Sequence, residues 1–133
     1  MTIMTRHLAP PLLLLAVFAL LFGCKKEEPP KPAPAPPTTT LMVVVDTPSS
    51  IVGQAGAFIE LYNYLSDCTN SDNIVRTGYT DPEGWVVFRD LPPGNYYVYA
   101  SKIIGSTAYE SGCEITGMLN AQETYTKRIT ISP

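Results

Sequence analysis

Few side chains in this sequence can make or break bonds, and their spacing suits structure better than catalysis. The only histidine is His7, in an amino-terminal stretch expected to be removed, so the mature chain lacks an imidazole for base, metal or triad work. Carboxylates stand close together at Asp81 and Glu83 and at Asp67 and Asp72. Paired acids can serve acid–base catalysis, but acids in turn-rich sequence usually shape the turn, and neither pair matches a strong calcium loop. Ser101 and Lys102 are neighbours on one expected strand, which sends their side chains to opposite faces. Cys68 and Cys113 without histidine fall short of a zinc set. The chain therefore reads as a non-catalytic protein without metal or cofactor, with an enzyme built on a carboxylate site kept as an alternative.

The third cysteine has a different setting. Residues 1–23 contain Arg6, then an uninterrupted apolar run from Leu12 to Phe22, then Gly23 and Cys24. An eleven-residue helix spans about 16 Å, whereas crossing a bilayer takes about 20 residues, so the run predicts a signal peptide and not a permanent membrane span. Leu21-Phe22-Gly23-Cys24 resembles the bacterial lipobox, with Phe22 a departure from its usual small or branched residue. The resemblance implies cleavage before Cys24, acylation of that cysteine and a stable membrane anchor through two or three chains. Lys25-Lys26-Glu27-Glu28 resembles the charged export tag that follows the lipid cysteine in surface lipoproteins of Bacteroidetes. The expected location is the cell envelope, lipid-anchored, at the outer membrane and facing the surface.

Residues 24–40 form the next segment. Pro29, Pro30, Pro32, Pro34, Pro36 and Pro37 favour polyproline II, which gives a semi-rigid stalk of about 28 Å. Beyond Thr40 the basic residues are Arg76, Arg89, Lys102, Lys127 and Arg128, against twice as many acids. Nucleic acid is excluded as a partner by that balance.

Residues 41–133 are the foldable part. Short runs rich in Val, Ile, Tyr and Thr, broken by Gly, Pro, Asn and Asp, predict strands at Leu41–Asp46, Ala57–Tyr64, Ile74–Thr80, Trp85–Arg89, Asn95–Lys102, Glu114–Met118 and Thr124–Ile131. This is an all-β pattern. Asp81-Pro82-Glu83-Gly84 and Leu91-Pro92-Pro93-Gly94 read as turns, the second joining two antiparallel strands. Cys68 and Cys113 lie in turn-like sequence. As an even pair in an exported domain they predict a disulfide.

Gly56–Tyr62, Thr80–Phe88 and Leu91–Val98, in that order, resemble the prealbumin-like modules that include the carboxypeptidase regulatory-like domain and the B-type repeats of bacterial adhesins. The resemblance implies a single prealbumin-like (Ig-like) antiparallel β-sandwich of about seven strands, with Ile59, Leu61, Phe88, Leu91, Tyr96 and Val98 inward. The Lys–Asn isopeptide bond of many adhesin repeats is not expected, since the first strand has no Lys and the last no Asn.

Strand alternation then points Trp85 and Val87 outward on one strand and Tyr97 and Tyr99 outward on the next. With the two strands joined by Leu91–Gly94, these residues become cross-strand neighbours, and the fold resemblance extends the patch to Tyr62 and Phe58. Such a face suits a protein partner or a sugar ring. The sequence thus predicts a membrane-anchored envelope lipoprotein presenting a binding or spacer module, accessory to a surface assembly, with a glycan-binding lipoprotein as the alternative.

Overall fold

The computed structural model describes residues 29–133, so Cys24, the leader and the Lys25–Glu28 tag lie outside the described residues. Residues 29–34 are exposed and lack helix or strand. Within Ala35–Pro133 the elements run β1 (Thr39–Asp46), β2 (Phe58–Tyr62), α1 (Leu65–Asn70), β3 (Arg76–Tyr79), β4 (Trp85–Leu91), β5 (Tyr97–Ile104), β6 (Thr107–Glu110), β7 (Glu114–Ile115) and β8 (Thr124–Thr130).

The strands form two sheets. One has the order β4-β1-β8, the other β3-β2-β5-β6 with β7 also on β5. Pairing is antiparallel except between β1 and β8, which run parallel from Thr40↔Thr124 to Asp46↔Thr130. The expected sandwich is thus present. Its core is Leu41, Val43 and Val45 of β1 and Ile129 of β8 packed against Ile59, Leu61, Val98 and Ala100 of the other sheet. Phe88, Leu91 and Tyr96 are buried with them, as the resemblance implies.

The connection after β4 corrects the expected hairpin. β4 pairs with β1, whereas β5 pairs with β2, so Leu91–Gly94 carries the chain from one sheet to the other. Asp90 takes a positive φ of 57°, and Pro92 and Pro93 lack the N–H groups that would continue a ladder. The crossing is fixed by the Tyr96 hydroxyl, which donates to Pro92 O at 2.6 Å, and by paired backbone hydrogen bonds between Gly94 and Leu119.

Two elements depart from the expected strand set. Cys68 lies on the short helix α1 and not in a turn, and the segment between the expected strands Asn95–Lys102 and Glu114–Met118 holds a further strand in a β5–β6 hairpin turning at Gly105, φ 63°. The strand expected at Glu114–Met118 is reduced to Glu114–Ile115.

Loop 47–57, between β1 and β2, is locked to the 81–84 turn. A Cβ on Gly53 would stand 1.9 Å from Glu83 O, and one on Gly84 2.4 Å from Gly53 Cα. Buried Thr80 ties the same loop down: its hydroxyl accepts from Ala57 N at 2.8 Å and donates to Gln54 O at 2.5 Å.

Candidate functional site

One carboxylate of each pair shapes the local chain. Asp81 Oδ1 accepts from the backbone N–H groups of Glu83 at 3.0 Å and Trp85 at 2.8 Å, which shapes the turn into β4. Asp67 Oδ1 accepts from Asn73 Nδ2 at 3.2 Å, and the Asp72 N–H bonds Asp67 O at 2.9 Å, closing the chain after α1. Among the described residues no group of three or more His, Cys, Asp or Glu converges as a metal set. Ser101 and Lys102 diverge: Ser101 pairs with Glu110 on the outward side, while Lys102 Nζ donates to Gln54 Oε1 at 3.4 Å.

The residues of the expected aromatic face divide between the two sheets. Trp85, half-buried, stands opposite Val44 on the outer side of the three-stranded sheet. In the same row, on β8, is Arg128, whose guanidinium pairs with Asp46 at 2.5 Å. Phe58, Tyr62, Tyr97 and Tyr99 belong to the five-stranded sheet, so Trp85 is not their neighbour. Trp85 is separated from them because Leu91–Gly94 joins the two sheets and does not pair β4 with β5.

The five-stranded sheet brings the other four together and adds residues that were not singled out. Its outward rows follow from the register. Tyr79, Phe58, Ser101 and Glu110 form one row, Thr77, Glu60 and Tyr99 the next, and Tyr62, Tyr97 and Ile115 the third. Glu60 is outward by period two on β2 itself, whereas Tyr79 and Glu110 are legible as outward positions only once β3 and β6 are placed on this sheet.

Tyr62 departs from expectation. It points to the outer face yet is fully buried. Helix α1 packs on β2 and β5, held by the Cys68–Cys113 disulfide, with S–S 2.06 Å and Cα atoms 6.1 Å apart. The Tyr62 hydroxyl donates to Glu60 Oε2 at 3.0 Å, and burial, reinforced by Glu60, raises its pKa. Tyr99 is similar: burial first, then its hydrogen bond to Glu110 and the nearby Glu110 and Glu60 charges push its phenol up to about 12. Both phenols therefore stay protonated, and Tyr62 orients the Glu60 carboxylate.

At the other end of the face the surface is open. Phe58 and Tyr79 rings meet with centroids 5.0 Å apart and planes tilted by 42°. Together with Ile103, Ala108 and Glu110 they line a groove of about 470 Å³. Tyr79 is 69% and Ile103 74% exposed. Ile51 and Val52, 90% and 69% exposed, sit on loop 47–57 at this same end, opposite the end where the chain enters β1 at Thr39. The groove combines flat aromatic surface, aliphatic walls and a carboxylate, a set suited to binding.

No family model matches the chain, and no curated protein matches it either. Solved structures do resemble it. The major pilin subunit BcpA of Bacillus cereus aligns with a TM-score of 0.51 and 14% identity, covering 73% of this chain and 30% of the pilin. A variant of the same subunit gives 0.50 and 15%, covering 74% and 31%. A streptococcal ancillary pilin gives 0.49 and 20%, covering 72% and 33%. At these identities the BcpA likeness concerns the fold. The chain is a β-sandwich of the kind found as one domain within such pilins, and it spans about a third of their length.

Proposed function

We propose that this chain is a lipid-anchored envelope protein, acylated at Cys24, that carries a non-catalytic sandwich module on a proline-rich stalk, and that the module binds a protein partner in a surface assembly. The observation that carries the binding role is the outer face of the five-stranded sheet, where Phe58 and Tyr79 open a groove beside Tyr99, Glu60 and Glu110. The apolar run ending at Gly23-Cys24 supports the anchor, and the residues around Lys25–Glu28 support surface display at an outer membrane. One carboxylate of each pair, Asp81 and Asp67, is engaged in holding its local turn, which favours binding over catalysis.

Glycan binding is the second reading, because the exposed ring of Tyr79 beside Phe58 offers a stacking platform for a sugar. Mass spectrometry of membrane-extracted protein tests the anchor: the mature amino terminus should be an acylated Cys24, and a soluble, unacylated main product would contradict it. A Phe58→Ser, Tyr79→Ser, Tyr99→Ser variant that keeps its disulfide tests the face. It should lose partner capture on intact cells without changed glycan binding; the reverse pattern would favour the glycan reading.

A further inference from the structure

The outward face of the five-stranded sheet has a charge pattern that narrows its partner. The register places two carboxylates on it, Glu60 and Glu110, and no Lys, Arg or His on the same face of β2, β3, β5, β6 or β7. Neither carboxylate is in a salt bridge among the described residues, whose ion pairs are Lys127–Glu114 and Arg128–Asp46. Glu60 accepts a hydrogen bond from a phenol, Tyr62, at 3.0 Å, and Glu110 stands in the row beside that of Tyr99. Phenols orient a carboxylate without neutralising it. Lys102 and Tyr109 also line the groove, but by strand alternation both belong to the other side of the sheet from Phe58 and Glu110, and Lys102 Nζ donates to Gln54 Oε1 at 3.4 Å.

The aromatic rings reinforce the same selection. Phe58 and Tyr79 line the groove directly, and Glu110 stands in their row. A cation entering the groove meets the negative faces of aromatic rings and a carboxylate at once, while Ile103 and Ala108 provide apolar walls for the stem of a long side chain. An anionic or purely apolar occupant would leave Glu60 and Glu110 uncompensated, a cost that discriminates against it.

We propose that the Phe58–Tyr79–Glu110 groove receives a Lys or Arg side chain, flanked by aliphatic residues, from an exposed segment of the protein partner. This rests on the protein-binding reading above and specifies the chemistry of the segment it recognises.

The test uses the lipid-free chain from Lys25 with its disulfide formed, or the full lipoprotein in detergent if the former is insoluble. The probes are an array of five-residue peptides with a central Lys, Arg, Gln, Glu or Leu between aliphatic flanks, with the best cationic peptide titrated by fluorescence polarisation. Peptides with central Lys or Arg should bind and those with Gln, Leu or Glu should not. Added salt should weaken binding, and Glu110→Gln with Glu60→Gln should lower affinity by about tenfold or more. Tyr79→Ala should also lower it, by loss of one ring. Equal binding of Gln-centred and Lys-centred peptides would overturn the proposal, as would absence of binding by all cationic peptides or unchanged affinity in the double Gln variant. If partner capture on cells is lost with Tyr79→Ala but kept with the double Gln variant, the face still binds a protein and only the cation specificity fails.

Discussion

Tyr99 on β5 stands directly opposite Glu60 on β2, with Glu110 in the neighbouring row, opposite Ser101. Burial and these two carboxylates hold the phenol protonated, with its pKa pushed up to about 12 from an ordinary 10.0. Because the folded value is raised, the associated stability is complete below about pH 10 and is lost as pH rises through about 12. Urea unfolding at stepped alkaline pH should therefore show a steeper loss in that window for wild type than for Tyr99→Phe. Identical pH profiles would refute the coupling.

The disulfide should act as a clamp. It joins Cys68 on α1 to Cys113 before β7 across 45 residues, so replacing both by Ala should cost about 4 kcal/mol in the chain-entropy model. Helix α1 also covers Tyr62, so the double variant should make that tyrosine reactive to iodination. A denaturant midpoint equal to wild type, with Tyr62 still protected, would show that packing alone holds α1.

Two glycines give a matched pair. Gly53→Ala drives a Cβ into the Glu83 carbonyl, where the loop and turn must separate, and should destabilise by about 1–3 kcal/mol. Gly112→Ala meets nothing within 4 Å and should fall within about 0.5 kcal/mol of wild type. Thermal unfolding of both separates the predicted contact from a general glycine effect.

Trp85 provides the negative control for the binding face. It lies on the outer side of the other sheet beside Val44, so Trp85→Ala should leave binding of the Lys-centred peptide within about twofold of wild type, well under the tenfold that 1.4 kcal/mol represents. A tenfold loss would mean that the two sheets' outer faces are coupled.

The sequence made most of the strands legible because alternation of Val, Ile, Leu and Tyr with polar residues is written locally: Ile59, Leu61, Val98 and Phe88 all fall inward as the period requires. Pairing between strands is not local. The Leu91–Gly94 turn looks like a hairpin turn, and only the fixed crossing at Pro92, Pro93 and Tyr96 reveals the change of sheet. Tyr62 has an outward position in the period but a buried environment, because α1 has too short a sequence pattern to be read as a helix and its cover is set by a bond 45 residues away. The groove was partly legible for the same reason. Phe58 was identified, whereas Tyr79, Ile103 and Glu110 join it only through the β2–β3 and β5–β6 registers.

The central claim is that the Phe58–Tyr79 end of the five-stranded sheet meets a protein partner. The most direct measurement places a photo-reactive phenylalanine analogue at position 79, in place of exposed Tyr79, and in a second strain at position 85, in place of Trp85 on the other sheet. After illumination of intact cells, the position 79 strain should yield a defined cross-linked protein whose attached peptide contains Lys or Arg, and the position 85 strain should not. Cross-links of equal yield and identity from both positions, or none from position 79 while the protein remains displayed and folded, would contradict the account.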